Sequence, residues 1–221
     1  MSAKRERAMD LLQKAQFPCL LPIDRETGKS HVLNDGFVVI DIETSGTDPR
    51  IHEITKLSAV WVADFRVEDR FETFVRIKRP MCHNAEDLTG ITNEMLKNAP
   101  CIEEALRRLV QWHPLDPVVF YDGDFTAGFL YTALVKTGVA FDACRPQIDL
   151  MYLTARLYTA YSMEHSLKLS DTIGLLPEPS GYDDAELIAE LLIFFLQKLQ
   201  NEYGFHCVSD FFKLYPHEDA Q

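Results

Sequence analysis

The run FVVIDIET, residues 37–44, is apolar and β-branched apart from two acids placed two residues apart, Asp41 and Glu43. On a strand that spacing sends both carboxylates to one face, with their Cα atoms about 7 Å apart. Two like charges at the end of an otherwise buried strand are costly unless something positive lies between them. A hard divalent cation, which takes oxygen ligands, answers that need. The alternative is a strand that simply frays into solvent at Asp41.

The pattern beyond this strand alternates in type. Ile54 to Val62 is apolar and β-branched, and Phe71, Thr73, Val75 and Ile77 alternate as a third strand would. Ala105, Leu106, Leu109 and Val110 recur at helical spacing within 102–112, and Pro117 to Tyr121 forms a short apolar strand. A further helix is predicted over 125–136, closed by Gly138. Asp149 can cap a helix through Leu157, and Leu167 to Ile173 continues a helical pattern toward Gly174. A last helix starts near Asp183 and runs through Leu199. Three early strands followed by alternating helices and strands imply a mixed sheet flanked by helices. Before this region, Ala8, Leu11, Leu12 and Ala15 mark an amphipathic helix over 3–16, ended by Pro18, and residues 20–33 read as a small hairpin. Gly28, Lys29 and Ser30 echo the end of a phosphate-binding loop, but Ile23 stands where that motif requires a glycine.

The segment Asp41, Ile42, Glu43, Thr44, Ser45, Gly46 resembles the first motif of the DEDD (DnaQ-like) 3′-to-5′ exonucleases, Asp-x-Glu-Thr/Ser-Gly. The resemblance continues through Glu53, Ile54 and Ala59. It extends to Leu88, Thr89, Gly90, Ile91, Thr92, Asn93, Glu94, Met95, Ala99 and Pro100, similar to an LTGIT-x-x-M…AP segment of the family. It spans about residues 36–200 and is strongest toward the exonuclease domains of PolC-type polymerases and epsilon-type proofreading subunits.

This resemblance implies an α/β, ribonuclease H-like three-layer fold, a central mixed β-sheet flanked by helices. It divides the chain into an N-terminal extension (1–35), an exonuclease-like domain (36–200) and a C-terminal tail (201–221). It also implies phosphodiester hydrolysis at nucleic-acid 3′ ends with two Mg²⁺ or Mn²⁺ ions held by four carboxylates, and a His or Tyr that activates water. Asp41 and Glu43 match the first two carboxylates, and Asp184, in the pair Asp184-Ala185, matches the last. Thr44, Ser45, Gly90, Ile91 and Phe125 fall where the family contacts substrate.

Two positions depart from the pattern. Phe125, Phe129 and Leu130 fix the register of the second motif, and Thr126 then stands where a metal-associated Asp is expected. A neutral hydroxyl is a poor replacement for that carboxylate. Asp122, one turn earlier, is a further metal candidate through a bridging water, although Asp122 and Asp124 equally suit helix capping. In the third motif Pro179 occupies the His position and Ser180 the Tyr position, while Tyr182 is out of register. Asp183 and Asp184 would also serve as first-turn charges on a helix dipole. The expectation is therefore an impaired exonuclease, the alternative being a catalytically degenerate module that binds nucleic-acid ends or a protein partner. The N-terminal extension offers a surface for such a partner.

His52, His113 and His165 are lone histidines, which more often serve structure. Arg76, Lys78 and Arg79, with Arg107 and Arg108, suit either phosphate contact or a solvated face. The net charge of −12 argues against strong grip on long duplexes but is tolerable for an enzyme that holds a strand end through cations. Five widely spaced cysteines without a C-x-x-C pair point to buried reduced thiols, and no apolar run has the length of a membrane span, so a cytoplasmic location is expected.

Overall fold

A computed structural model describes residues 31–142, 145–158 and 168–214. The expected helix over 3–16, most of the expected hairpin, Cys19, Cys144 and His165 lie outside these residues. Five strands form one sheet: β1 Phe37–Thr44, β2 Ile54–Ala63, β3 Arg66–Phe74, β4 Val118–Phe120 and β5 Gln147–Asp149. Their order is β3-β2-β1-β4-β5. The first three pair antiparallel, and β1, β4 and β5 run parallel, so the sheet is mixed as the alternation of element types implied.

The helices are α1 His83–Thr89, α2 Asn93–Leu96, α3 Ile102–Gln111, α4 Gly123–Thr137, α5 Leu150–Leu157, α6 Leu169–Thr172 and α7 Asp184–Tyr203. Alternation along β1 sorts its side chains between two cores. Phe37 and Val39 pack with Ile188, Leu192 and Phe195 of α7. Val38, Ile40 and Ile42 face the other way, against Leu106 of α3 and Phe129 and Leu130 of α4. The result is three layers, helix on sheet on helix, which is the predicted arrangement. Asp41 and Glu43 continue the Phe37–Val39 face and so point toward the α7 side, where the apolar layer gives out.

Residues flanking the sheet region share its α7-side core. Leu33 is buried with Phe205, Val208 and Phe211. Its N–H donates to the His206 carbonyl, and the Val208 N–H donates to the His31 carbonyl.

The structure also revises several expectations. The third strand runs over Arg66–Phe74 rather than 71–77, because it pairs along the whole of β2 from Ala63 back to Lys56. β5, only three residues long, was not anticipated. Neither was α1, which buries none of its residues and so carries no apolar stripe to read. Cys82 and Cys101, expected to be buried, are exposed free thiols; they stand at the N-termini of α1 and α3, where the chain enters each helix from the surface.

Candidate functional site

Two carboxylates on β1, Asp41 and Glu43, lie within electrostatic reach of Asp184 on α7. Asp41 and Glu43 come from the strand, and Asp184 opens α7, whose first turn is fixed by Asp183: its side chain accepts the Glu186 N–H at 3.0 Å. Burial pushes the Asp41 carboxyl up to about 7, and the neighbouring charges of Glu43 and then Asp184 add to the effect. Glu43 is also raised, first by burial and then by Asp184. Each of the two strand acids therefore feels Asp184, and the group repels itself.

One cation moderates this repulsion. Lys56 is paired in register with Glu43 across β1 and β2, and its charge favours ionised Glu43. It is shared, because Lys56 Nζ lies 2.7 Å from Glu72 and 4.0 Å from Asp183. Sequence reasoning missed Lys56; nothing in the chain marks it until the strand register is known.

Oxygen-only donors carrying excess negative charge are the chemistry a hard divalent ion requires, so Asp41, Glu43 and Asp184 fit such an ion. Among the described residues no three His, Cys, Asp or Glu side chains are placed together so as to hold a metal ion.

The second-motif residues Asp122 and Asp124 act on a further buried acid, Asp149. Asp122 caps α4, its carboxylate accepting the Phe125 N–H at 3.1 Å. Asp149 at the end of β5 accepts from Tyr152 and Gly123 N–H groups, the former as the cap expected from sequence. Burial raises Asp149 to about 6, those backbone donors oppose the rise, and Asp122 and Asp124 add to it. The charges acting on Asp41 come from Glu43, Asp184 and Asp183, those acting on Asp149 from Asp122 and Asp124. Thr126 is buried on the first turns of α4, 4% exposed.

The remaining candidates have structural partners. The Thr44 hydroxyl donates to the Gly46 carbonyl at 2.7 Å, and the Ser45 hydroxyl accepts the Glu53 N–H at 3.0 Å. Gly90 closes α1 in the left-handed conformation, φ 69°, which a side chain would resist, and Ile91 is buried beside Met81 and Leu96. Phe125 packs on Phe129, ring centroids 5.1 Å apart. His52 is held in the β1–β2 loop, its Nδ1 accepting the Asp48 N–H, and His113 stacks on Trp61. His52 and His113 thus both have the structural partners expected of lone histidines. Pro179 is exposed on the loop before α7, and the next residue, Ser180, is tied to Glu190 by its N–H and hydroxyl. Tyr182 is 97% exposed.

A model of the RNase_T family, described as exonuclease, matches residues 38–192. The chain belongs to the RNase_T exonuclease family. Relatives include the PolC-type DNA polymerase III of Caldanaerobacter subterraneus subsp. tengcongensis, 32% identical over 188 residues, which covers 83% of this chain and 13% of that protein. The corresponding Bacillus subtilis polymerase is 30% identical over 175 residues, 78% of this chain and 12% of that one. The chain thus spans about an eighth of these relatives. Among solved structures, the nuclease domain of 3′hExo, a DEDDh family member bound to rAMP, gives a TM-score of 0.62 at 19% identity, covering 79% of this chain and 96% of that one. An E. coli exonuclease I complex with single-stranded DNA gives 0.61 at 16% identity, covering 76% and 41%.

Together these make the chain a DnaQ-like 3′-to-5′ exonuclease-family protein with a ribonuclease H-like fold, and the family implies divalent metal ions. No helix among the described residues is long and apolar enough to cross a membrane.

Proposed function

We propose that this chain hydrolyses the terminal phosphodiester at nucleic-acid 3′ ends with Mg²⁺ or Mn²⁺, more slowly than a family member that keeps all four carboxylates and the His or Tyr. The observation that supports the reading is the pair of acids on β1, Asp41 and Glu43, both pushed up by burial and both acted on by the charge of Asp184 at the exposed start of α7, a set of oxygen donors suited to a divalent ion. Such an ion, when bound, lowers the pKa of water and stabilises charge on the phosphoryl oxygens. The protein's own contribution is positional. β1 and the capped start of α7 carry the carboxylates, and the charge of Lys56 opposes the rise that burial and Asp184 impose on Glu43. The β1–β2 loop, braced by Thr44 and Ser45, presents the strand end to an incoming nucleotide. Phe125, Gly90 and Ile91 complete the substrate side. Asp122, engaged as a helix cap, contributes at most through water.

Impairment follows from Thr126 and Pro179. Loss of a positioned base typically costs about 10²- to 10⁴-fold. A missing metal-associated carboxylate adds to that, though not additively. A degenerate end-binding module is the second reading; it is favoured by the engagement of His52 with the Asp48 N–H and of His113 with Trp61, the two histidines of the family-like region singled out from sequence that the structure describes.

The test uses 5′-labelled single-stranded DNA and RNA with Mg²⁺, Mn²⁺ or chelator, beside Asp41→Ala/Glu43→Ala. Slow, metal-dependent shortening from the 3′ end, abolished in the double variant, is expected. Intact substrate in every metal, with end binding retained, would establish the second reading instead.

A further inference from the structure

Although the chain carries a net charge of −12, one cleft of about 270 Å³ is lined by five cationic side chains, Arg50, Arg76, Lys78, Arg79 and Lys136, and a single carboxylate, Glu53. Its walls are the β1–β2 loop, the segment following β3 and the C-terminal half of α4, and Phe129 and Ala133 provide an apolar floor. In a chain this acidic, so many cations facing one hollow need an explanation. Glu53, whose carboxylate accepts the backbone N–H groups of Lys78 and Arg79, can offset only one of the five charges. Two are oriented by carbonyls: Arg79 Nη2 donates to Ile51 at 2.6 Å and Lys136 Nζ to Pro49 at 3.2 Å. Arg50 pairs with Asp48. Among the described residues no carboxylate forms an ion pair with Arg76, Lys78, Arg79 or Lys136. The other basic pair noted in the sequence is different, since Arg107 pairs with Glu103 and Arg108 lies over Phe71.

The cleft adjoins the C-terminal end of β1, on the α4 side of the sheet, and is tied to the strand end that carries Asp41 and Glu43 through the backbone. Ser45 and Glu53 are bonded both ways, Ser45 N–H to the Glu53 carbonyl at 2.9 Å and Glu53 N–H to the Ser45 hydroxyl at 3.0 Å. Ile54, which lines the cleft, pairs with Thr44 at the end of β1. On the opposite wall Phe129 lies one helical turn beyond Phe125 and packs on it. A His52 ring packed on Gly46 fills the loop between the two regions and stiffens it.

We infer that this cleft binds the sugar-phosphate backbone of the substrate strand, a few nucleotides back from the 3′ end held at Asp41, Glu43 and Asp184. The inference rests on the exonuclease reading for the identity of its ligand. Cations over an apolar floor suit phosphate and sugar together, and the volume lies just below that of pockets for drug-sized ligands, about 300–1,000 Å³, too confined for a duplex. It gives an acidic protein a local means of gripping a polyanion.

The test compares binding of a fluorescein-labelled single-stranded trinucleotide and dodecanucleotide to the full chain, with Ca²⁺ in place of Mg²⁺, across a salt series. The variants are Lys78→Gln/Lys136→Gln and, as a control of equal charge loss, Arg107→Gln/Arg108→Gln. The cleft variant should bind the dodecanucleotide about tenfold more weakly, with a salt slope shallower by about 1.4, near 0.7 for each lost phosphate contact. Trinucleotide binding, the unfolding temperature and the control variant should be unchanged. Wild-type protein that binds both lengths equally, or a cleft variant no different from the control, would overturn the cleft while leaving the exonuclease reading intact. Failure of the wild type to bind either oligonucleotide would remove both.

Discussion

Replacing Asp41 by Asn separates what this carboxylate does for function from what it costs the fold. The Asp41 carboxyl is held near 7 against an ordinary value of 3.8, chiefly by burial and then by Glu43 and Asp184. A folded-state value above the unfolded one means that the folded chain holds the proton more tightly. Its contribution is therefore fully present below about pH 4 and is lost as pH rises through about 7. At 1.36 kcal/mol per tenfold, complete loss corresponds to about 4 kcal/mol. Asp41 keeps part of its surface in water, so screening trims this, and we expect about 2 kcal/mol. Asn, which has nothing to ionise, avoids the loss. In urea titrations with chelator, Asp41→Asn should match wild type near pH 4 and exceed it by about 2 kcal/mol at pH 8. Adding Mg²⁺ at about 100 times its Kd should then stabilise wild type by about 2.7 kcal/mol and leave the variant unmoved, which reverses their order. A variant less stable than wild type at pH 8 with chelator, or a gain of equal size at both pH values, would refute the reasoning.

Three further outcomes follow from the same geometry. Gly46→Ala places a Cβ in the His52 ring, so the β1–β2 loop must shift; thermal unfolding should show a loss of about 1–3 kcal/mol, and a neutral result would mean the ring is free to move. Lys56→Gln removes the cation that favours ionised Glu43, so the Glu43 carboxyl should titrate higher when followed by NMR, and an unchanged or lower value would contradict the cross-strand pairing. Thr126→Asp should raise metal-dependent exonuclease activity while destabilising the chelated protein, since it buries a charge; Pro179→His should add little alone, because the adjoining Ser180 ties that loop to Glu190, and the order of activities measured for the two single variants decides this.

The legible part of the sequence was the part whose pattern is local. Alternation in FVVIDIET gave β1 and the common face of Asp41 and Glu43, and the Asp183 cap with its apolar helix gave α7 and the position of Asp184. What escaped was either short or non-local. α1 buries no residue and β5 spans three, so neither has a period to detect. Lys56 matters because register sets it opposite Glu43, and a one-residue slip would have turned it to the other face. The grouping of Asp122 and Asp124 with Asp149 likewise depends on how β4 and β5 pair beside one another. The basic cleft draws on three segments far apart in the chain, and the sequence marked only Arg76, Lys78 and Arg79 of its cations.

The central claim, that Asp41, Glu43 and Asp184 together hold a divalent ion, is tested most directly by counting bound Mn²⁺ by electron paramagnetic resonance. Wild type, Asp41→Asn, Glu43→Gln, Asp184→Asn and Asp122→Asn should be compared at one pH. The account predicts about one tightly bound ion in wild type, lost in each of the first three variants and retained in Asp122→Asn. Tight binding that survives Asp184→Asn, or that disappears only in Asp122→Asn, would contradict it.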